Sequence, residues 1–429
     1  DAVKPMTFEG NDGFTEFANQ YLAALPEEER THWYRLIAHA NKAAGAKPSE
    51  KYLDAAKTLI DALGADRFKA TAWSWLEHLV RMKEMVEEHR TEYRGQVYVH
   101  TTSTFLAGTN MDTAKGLVWM CAHFHDARTI AAVAALAERS FRKIPGHGPA
   151  AAGLGNACLF TLFRSKGLDG IGQLSRLKLR IKQSSTVALI DKYLAEAAEN
   201  KGISVHEIED QACDDHGLKN GVRTWDFDGY TATLTVTGPG RSELAWTKPD
   251  GSPQKSVPAV VKEKHAAKLK KLKDTVKQVD LGTTAQRDRL DRMFRSQRML
   301  AMPYFREHFE DHGLLAFLTH RIIWNFHRGE TVVQAIRING TWTTRTGDAF
   351  APAQDMTVSL WHPATATVAE VKAWREFMLD REIRQPLKQA FREVYLLTDA
   401  EVNTRSYSNR MAAHLLKQHQ FNSLAKTRG

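Results

Sequence analysis

Apolar residues between Thr15 and Asn200 recur every three or four positions, which is the spacing of one buried face on an α-helix. Such segments follow one another through short polar connections, and Val97-Tyr98-Val99 is the one strand-like stretch among them. Helix pairs repeated in series are typical of an α-solenoid. We therefore expect a HEAT-like helical-repeat array over residues 1–220, although no repeat motif accompanies the helix pairing.

After Gly221 the pattern changes to that of an α+β domain, which we expect over residues 221–429. Apolar residues alternate with Thr between Trp225 and Trp246, with glycine turns between them, and this predicts small antiparallel sheets. Further strands are predicted at Thr331–Ile338, Gly340–Arg345 and Met356–Trp361. Helices are predicted at Lys262–Gln278, Thr284–Leu300, from Pro303 onward, Val368–Leu379 and Arg384–Leu397. The predicted fold class is thus mainly α, with the helical array followed by the α+β domain.

The composition narrows the class of protein. Hydrophobic residues make up 43% and charged residues 25%, which excludes a disordered or collagen-like chain. No apolar run reaches the roughly 18 residues that a membrane-spanning helix needs. The three cysteines are too scattered for a disulfide framework or a zinc site, so we expect a cytoplasmic protein without metal or cofactor. An initial Asp1 suggests a piece of a longer protein whose second domain is truncated at its C-terminus.

Several short motifs resemble a known family. They are Lys143-Ile-Pro-Gly-His-Gly-Pro149, Gly155-Asn-Ala-Cys-Leu159, Gln173-Leu-Ser-Arg-Leu177, Asp311-His-Gly-Leu314, Arg321-Ile-Ile-Trp324, Val358-Ser-Leu-Trp-His-Pro363 and Gln385-Pro386 with Gln389, Arg392-Glu393 and Tyr395. Together they resemble the bacterial DUF4132 family from about Met111 to the C-terminus. The resemblance implies a helical-repeat half joined to a mixed domain. Some members are named molybdate metabolism regulators, but no residue of this sequence points specifically to molybdate.

Two glycine-containing turns resemble helix–hairpin–helix motifs. Residues 144–152 have the form apolar-Pro-Gly-x-Gly-x-x-x-Ala, and a looser copy follows at residues 168–173. In such a motif the glycine N–H groups at a helix start can bind a phosphate oxygen, which makes Gly146, Gly148, Gly170 and Gly172 candidate nucleic-acid contacts. The alternative is that both are ordinary turns between helices of the array, where glycine and proline are needed in any case.

Two predicted helices carry concentrated positive charge. The candidate nucleic-acid contacts here are Lys268, Lys270, Lys271, Arg292 and Arg295. Lysine and arginine runs can follow a phosphate backbone, but they are also the ordinary solvated face of a helix. These runs account for most of the net charge of +9.

The segment Cys121-Ala-His123-Phe-His125-Asp126 invites a metal-binding interpretation. On a helix, however, residues 123 and 125 point to nearly opposite sides, so both imidazoles cannot meet one ion. Asp126 is better placed to cap the next helix. We predict no metal site.

The most site-like set of polar residues lies near the C-terminus. It consists of His362, Gln385, Gln389, Arg392 and Arg410. On a helix, the spacing from residue 385 to 389 and 392 would place two amides and a guanidinium on one side, and such a group can hold a phosphate or carboxylate. His362 is the one candidate general base, so binding is favoured over catalysis. The alternative is a structural polar network that ties helices to the sheet.

Three functions follow from these patterns. The favoured expectation is an interaction or scaffold protein, with another protein as the partner and the helical array as the binding surface. The first alternative is nucleic-acid binding through the glycine turns and basic helices. The second is an enzyme or binder of a phosphorylated small molecule at the His362–Arg410 set.

Overall fold

The computed structural model describes residues 3–412 and 414–428, and the chain divides into two compact units, Asp1–Cys213 and Asp214–Gly429. It is mainly α-helical, with antiparallel sheets. In the part of the chain that is described, no helix has the length and apolar character to cross a membrane.

The first unit consists of helices and one long hairpin. Its elements are α1 (Thr15–Ala24), α2 (Glu27–Ala40), α3 (Glu50–Leu63), α4 (Ala65–Arg81), β1 (Met85–Tyr93), β2 (Gln96–Thr104), α5 (Thr109–Met120), a 3₁₀ turn (Cys121–His123), α6 (Ala127–Phe141), β3 (Lys143–Ile144), β4 (Gly148–Pro149), α7 (Ala152–Phe163), α8 (Asp169–Arg180), α9 (Ser184–Lys201) and α10 (Val205–Ala212).

The helices of the first unit contact one another in two interleaved series. Helices α3, α5, α7 and α9 pack in succession, and so do α4, α6, α8 and α10. Their apolar faces form one core, in which the indoles of Trp33, Trp75 and Trp119 are fully buried. The three- and four-residue periodicity therefore gives amphipathic helices, as the sequence predicts.

Side-chain caps mark two helix starts in this unit, and the cap by Asp126 is the one expected above. The Asp126 side chain accepts a hydrogen bond from the Thr129 N–H at the start of α6. Ser204 and Glu207 form a reciprocal capping box at the start of α10. Both caps satisfy N–H groups that a helix start would leave without partners.

The β1–β2 hairpin corrects the expectation of helices throughout this unit. Helical spacing from Trp73 onward predicts that Val86 lies on a helix, but it lies in β1, and the expected strand-like stretch at Val97–Val99 is part of the nine-residue β2. Buried Arg139 holds the base of the hairpin: its Nη2 lies 2.9 Å from the Met82 carbonyl oxygen and 2.7 Å from Glu84 Oε1. Its guanidinium also stacks on Phe105, just after β2.

The second unit combines two sheets with a long helix. Its elements are β5 (Val222–Phe227), β6 (Tyr230–Gly238), β7 (Arg241–Thr247), β8 (Pro253–Gln254), α11 (Ala259–Lys264), α12 (Ala266–Ser296), β9 (Leu300–Ala301), α13 (Met302–Phe305), a π-helix (Arg306–Glu310), α14 (Ala316–Thr319), β10 (Trp324–Arg328), β11 (Thr331–Ile338), β12 (Thr341–Thr343), β13 (Ala349–Phe350), β14 (Thr357–Leu360), a 3₁₀ turn (Pro363–Thr365), α15 (Val368–Asp380), α16 (Asp399–Thr404), α17 (Asn409–Ala412) and α18 (Gln418–Arg428).

Both sheets of this unit are antiparallel. Among the described residues one has the order β5-β6-β7-β8 and the other β13-β12-β11-β10-β14-β9. Side chains of α11 and α12 cover the first sheet, packing on Phe227 and Trp246. Ile336 of the second sheet shares a core with Trp361 and with Trp374 of α15. Phe305 stands edge-on to Trp324 in a separate aromatic cluster.

Four predicted helices of this unit differ in the structure. The helices expected at Lys262–Gln278 and Thr284–Leu300 are largely one continuous helix, α12, because Gly282 does not interrupt it. A side chain at Gly282 would lie 3.1 Å from Leu314 Cδ2, so glycine there permits close packing. The helix expected from Pro303 ends within two turns, and residues 324–326 belong to strand β10. The helix expected at Arg384–Leu397 is absent, and that segment has no regular structure.

Two glycines of the first unit provide a matched test of the packing. An added Cβ at Gly116 in α5 would lie 2.4 Å from the Ala40 carbonyl oxygen, whereas one at Gly153 in α7 would meet nothing within 4 Å. We expect Gly116→Ala to lower the free energy of unfolding by about 1–3 kcal/mol because α2 and α5 must move apart. Gly153→Ala should raise it by about 0.5–1 kcal/mol through helix propensity. Urea unfolding followed by circular dichroism measures both, and equal effects would contradict the packing described.

Candidate functional site

Gln389 is fully buried, and its amide is saturated with hydrogen bonds. Its Nε2 donates to the carbonyl oxygens of Ile323 at 2.8 Å and Trp361 at 2.9 Å. Its Oε1 accepts from the Ile323 N–H at 2.7 Å and from Gln385 Nε2 at 2.8 Å. These bonds occupy both amide hydrogens and both lone pairs of the oxygen, so Gln389 has no capacity left for a ligand.

Gln385 extends the same network. Its Nε2 also lies 3.2 Å from the Arg321 carbonyl oxygen, and its Oε1 accepts from the Ala390 N–H at 2.8 Å. The expected helix is replaced here by side-chain bonds to the backbone, so the predicted arrangement of Gln385, Gln389 and Arg392 on one helix face is wrong. The two glutamines instead fasten residues 385–390 to the ends of β10 and β14.

His362 and Arg392 both contact the ring of Phe294. Arg392 stacks over Phe294 at 4.3 Å and forms an ion pair with Asp291. The His362 ring stands edge-on to Phe294, and its Nδ1 accepts from the Ala364 N–H at 2.9 Å. Burial, and then the charge of Arg392, lowers the pKa of His362, which therefore is neutral at pH 7.

Arg410 lies in a different environment from the rest of its predicted set. It contacts the Leu396 carbonyl oxygen, the Tyr395 ring and, at 3.9 Å, Glu401. Within the described residues, none of its contacts involves another member of the set. Four of the five predicted residues, His362, Gln385, Gln389 and Arg392, therefore lie in neighbouring contacts, and Arg410 does not share them.

The two glycine turns do not have the expected helix–hairpin–helix geometry. Gly146 and Gly148 lie at the turn of a small β3–β4 hairpin, and α7 starts at Ala152 rather than at Pro149. Gly172 lies inside α8, where its N–H donates to the Leu168 carbonyl oxygen at 2.7 Å. Gly170 is buried, and an added Cβ would lie 1.8 Å from Ser165 Oγ. Gly170 is therefore needed for packing.

The basic residues of α12 separate into different environments. Lys268 contacts the Asp226 carbonyl oxygen and the ring of Phe227, so it fastens the helix to the sheet. Lys270 and Lys271 are exposed, as are Arg292 and Arg295. Lys270, Lys273 and Lys277 share one solvent-facing side of the helix at three- and four-residue spacing. We refer to these three residues as the lysine stripe.

The two histidines considered for metal binding are engaged separately. His123 Nε2 lies 2.8 Å from the Leu53 carbonyl oxygen, and His125 Nδ1 accepts from the Lys166 N–H at 3.1 Å. Across the residues that the structure describes, no cluster of three metal-ligating side chains occurs.

One polar cluster was not recognised in the sequence. Glu310, at the end of the π-helix, is 8% exposed. Its Oε1 accepts from Arg337 Nη1 at 2.7 Å and from Trp342 Nε1 at 2.9 Å. His320 Nε2 donates to the Glu310 carbonyl oxygen at 2.9 Å, and burial lowers the pKa of His320 to about 4. These residues are distant in sequence and have no common spacing, so no local signal would have joined them.

Residues 251–429 match the family model described as "Domain of unknown function (DUF4132)". The chain is also 25% identical over 246 residues to "Uncharacterized protein YehI" of Escherichia coli (strain K12). That alignment covers 54% of this chain and 20% of the relative, so the chain spans about one fifth of the relative's length. No solved structure matches.

The DUF4132 match covers both polar clusters of the second unit. Glu310, His320, Arg337, Gln385 and Gln389 all lie inside residues 251–429, whereas the glycine turns and the β1–β2 hairpin lie outside it. Neither the family description nor the relative's name supports the molybdate label.

The glutamine network predicts a specific loss of stability. Gln389→Leu leaves the Ile323 N–H and the Trp361 carbonyl oxygen buried without their partners, whereas the Ile323 carbonyl oxygen keeps its bond from the Trp361 N–H at 3.2 Å. We expect the free energy of unfolding to fall by about 2–4 kcal/mol, since each buried group left unsatisfied costs about 1–3 kcal/mol. Urea unfolding of the full chain measures the change.

Gln278→Leu is the matched control, since it removes an amide from a half-exposed position of α12. It should change the free energy of unfolding by less than about 0.5 kcal/mol. Similar losses in the two variants would show that the Gln389 hydrogen bonds do not carry the effect.

Proposed function

We propose that this chain is an interaction protein whose helical unit presents the β1–β2 hairpin to a partner protein. The observation that carries the proposal is the exposure of the hairpin. All residues from Met85 to Thr102 are exposed, so neither face of the two strands is packed. A two-stranded hairpin is marginally stable in water on its own, which favours a role in which a partner covers it.

The exposed side chains fit a protein partner. The register places Val97 and Val99 on one face of the hairpin and Tyr93 and Tyr98 on the other. Val97 is 63% exposed and Tyr93 is 59% exposed. Branched aliphatic residues and tyrosines are well suited to an apolar protein interface, and exposed apolar patches commonly mark one.

The base of the hairpin is fixed even though its strands project. Arg139 is 2% exposed and bonds to Met82 and Glu84 on one side while stacking on Phe105 on the other. A fixed base lowers the entropy lost when a partner binds the strands.

The helices of the first unit pack in a regular pattern, and the unit carries the hairpin. The two series α3–α5–α7–α9 and α4–α6–α8–α10 follow the next-but-one contact pattern of an array of paired helices. We propose that this is the HEAT-like array expected from the sequence. We also propose a cytoplasmic location, which the free, buried thiols of Cys121 and Cys158 support.

Removing the hairpin tests the proposal. Met85 pairs with Thr104, so replacing residues 86–103 by Asn-Gly should close the chain without strain. Because the strands bury little surface, we expect the shortened chain to have an unchanged unfolding midpoint. A partner protein that co-purifies with the parent chain should no longer co-purify with the shortened chain. The partner is identified by quantitative mass spectrometry, purified, and its Kd is measured for both chains.

Point variants make the test specific. Val97→Thr/Val99→Thr should weaken binding of the purified partner by about tenfold, because two apolar contacts are lost. Val332→Thr/Val368→Thr changes two exposed valines of the second unit and serves as the control. Undiminished binding by the chain without its hairpin would refute the proposal.

The lysine stripe favours nucleic-acid binding as a second function. Lys270, Lys273 and Lys277 are exposed on one side of α12, and no ion pair of theirs occurs within the described residues. A row of unpaired lysines can follow a phosphate backbone and release its counterions.

Charge reversal tests this second function. Lys270→Glu/Lys273→Glu/Lys277→Glu should weaken binding to labelled duplex or single-stranded DNA by about tenfold or more, and should flatten its salt dependence. Lys182→Glu/Lys192→Glu/Lys201→Glu makes the same change of charge on exposed lysines of the first unit. Fluorescence anisotropy at two salt concentrations measures both. Equal weakening in the two variants would mean nonspecific attraction to a basic protein.

A further inference from the structure

A cleft of about 520 Å³ opens in the second unit between the β11–β12 turn, the segment after α14 and the loop after α15. Its volume is in the range of small-molecule sites. Val236, Phe317 and Ile383 contribute apolar surface, and Asn339 lies at its rim. None of its lining residues belongs to the lysine stripe.

The charged groups of the cleft are mostly guanidiniums. Arg321, Arg337 and Arg384 line it, and Glu382 is the one carboxylate among the lining residues. His320 also lines the cleft and is neutral at pH 7 because burial lowers its pKa to about 4. Arg337 pairs with Glu310, so Arg321 and Arg384 are the two lining guanidiniums that have no ion pair within the described residues.

Two of these guanidiniums are held in place by the fold. Glu310, which is 8% exposed, accepts a hydrogen bond from Arg337 Nη1 at 2.7 Å. Arg321 lies 3.7 Å above the centre of the Phe317 ring and donates to the Phe317 carbonyl oxygen at 2.9 Å. Fixed donors lose little entropy when they bind an anion.

The position of the third guanidinium, that of Arg384, is set by the backbone segment that the glutamine network holds. Arg384 is exposed, and its segment is fastened by the neighbouring Gln385 to the Arg321 carbonyl oxygen. Within the described residues, neither Arg321 nor Arg384 makes an ion pair. Burial lowers the pKa of Arg321, as expected for a guanidinium without a counterion.

We propose that this cleft binds the phosphoryl group of a phosphorylated small molecule. A phosphate monoester carries about −1.5 to −2 charges at pH 7 and has three acceptor oxygens, which suits the two lining guanidiniums without an ion pair, Arg321 and Arg384. A carboxylate has one charge and two acceptor oxygens, so it suits this pair less well. The apolar wall formed by Val236, Phe317 and Ile383 accommodates the rest of the ligand. The sequence places phosphate binding at the set from His362 to Arg410, whereas we propose it for this nearby cleft. The loop that carries Arg384 is held in place by Gln385 and Gln389.

Calorimetric titration of the full chain with phenyl phosphate tests the proposal, with benzoate as the carboxylate of similar shape. We expect saturable binding of phenyl phosphate at constant ionic strength, and binding of benzoate weaker by about tenfold. Saturable phenyl phosphate binding no tighter than benzoate binding, or no binding to the folded chain, would overturn the assignment.

Arg384→Gln is the decisive variant, because Arg384 is exposed and its loss should not disturb folding. It should weaken phenyl phosphate binding by about tenfold or more, and Arg321→Gln should do the same. Arg345→Gln removes an equal charge from the same unit outside the cleft, and it should change the Kd by less than about twofold. Equal losses for Arg384→Gln and Arg345→Gln would overturn the proposal in favour of general attraction to a basic surface. The lysine-stripe variant should retain binding, which separates this site from any polyanion-binding surface.

Discussion

The requirement that buried backbone groups have hydrogen-bond partners governs the parts of this chain that lack regular structure. In the second unit, Gln389 supplies the partners for Ile323 and Trp361 where β10 begins and β14 has ended. In the first unit, buried Arg139 does the same for the Met82 carbonyl oxygen at the base of the hairpin. One polar side chain in each unit thus fixes a segment that has no helix or strand of its own, and the proposed binding surfaces depend on those segments.

Local signals in the sequence were sufficient for much of the fold. Strand β11 has the predicted bounds Thr331–Ile338, and α15 (Val368–Asp380) follows a Thr367/Glu370 capping box and nearly coincides with the helix predicted at Val368–Leu379. Periodicity and caps depend on near neighbours, so they can be read from the sequence. Only Val97–Val99 of the β1–β2 hairpin was recognised as strand-like, because strands exposed on both faces have no regular alternation of apolar and polar residues. The close packing of Gly282 of α12 against Leu314 is likewise a tertiary contact, which the sequence pattern does not show.

The sequence predicted most members of the candidate site, but the helical spacing on which that prediction rested does not occur in the structure. Gln385, Gln389 and Arg392 were singled out through helical spacing, yet no helix forms there. What associates them is contact with Ile323, Trp361 and Phe294, which are far away in the sequence. The Glu310–Arg337 pair is likewise non-local. A sequence shows which polar residues are present, but here tertiary contacts decide which of them become structural and which face a cleft.

The fold uses its two kinds of positive charge differently, and this difference separates the two proposed anion surfaces. Arginines such as Arg321, Arg392 and Arg139 lie on aromatic rings with bonds to carbonyl oxygens or carboxylates, so their guanidiniums are fixed. The lysine stripe stands in solvent on a helix, so its ammonium groups remain hydrated and movable. A fixed fork of donors suits one small dianion, whereas mobile point charges suit a long phosphate chain. The net charge of +9 therefore does not by itself indicate a polymeric partner.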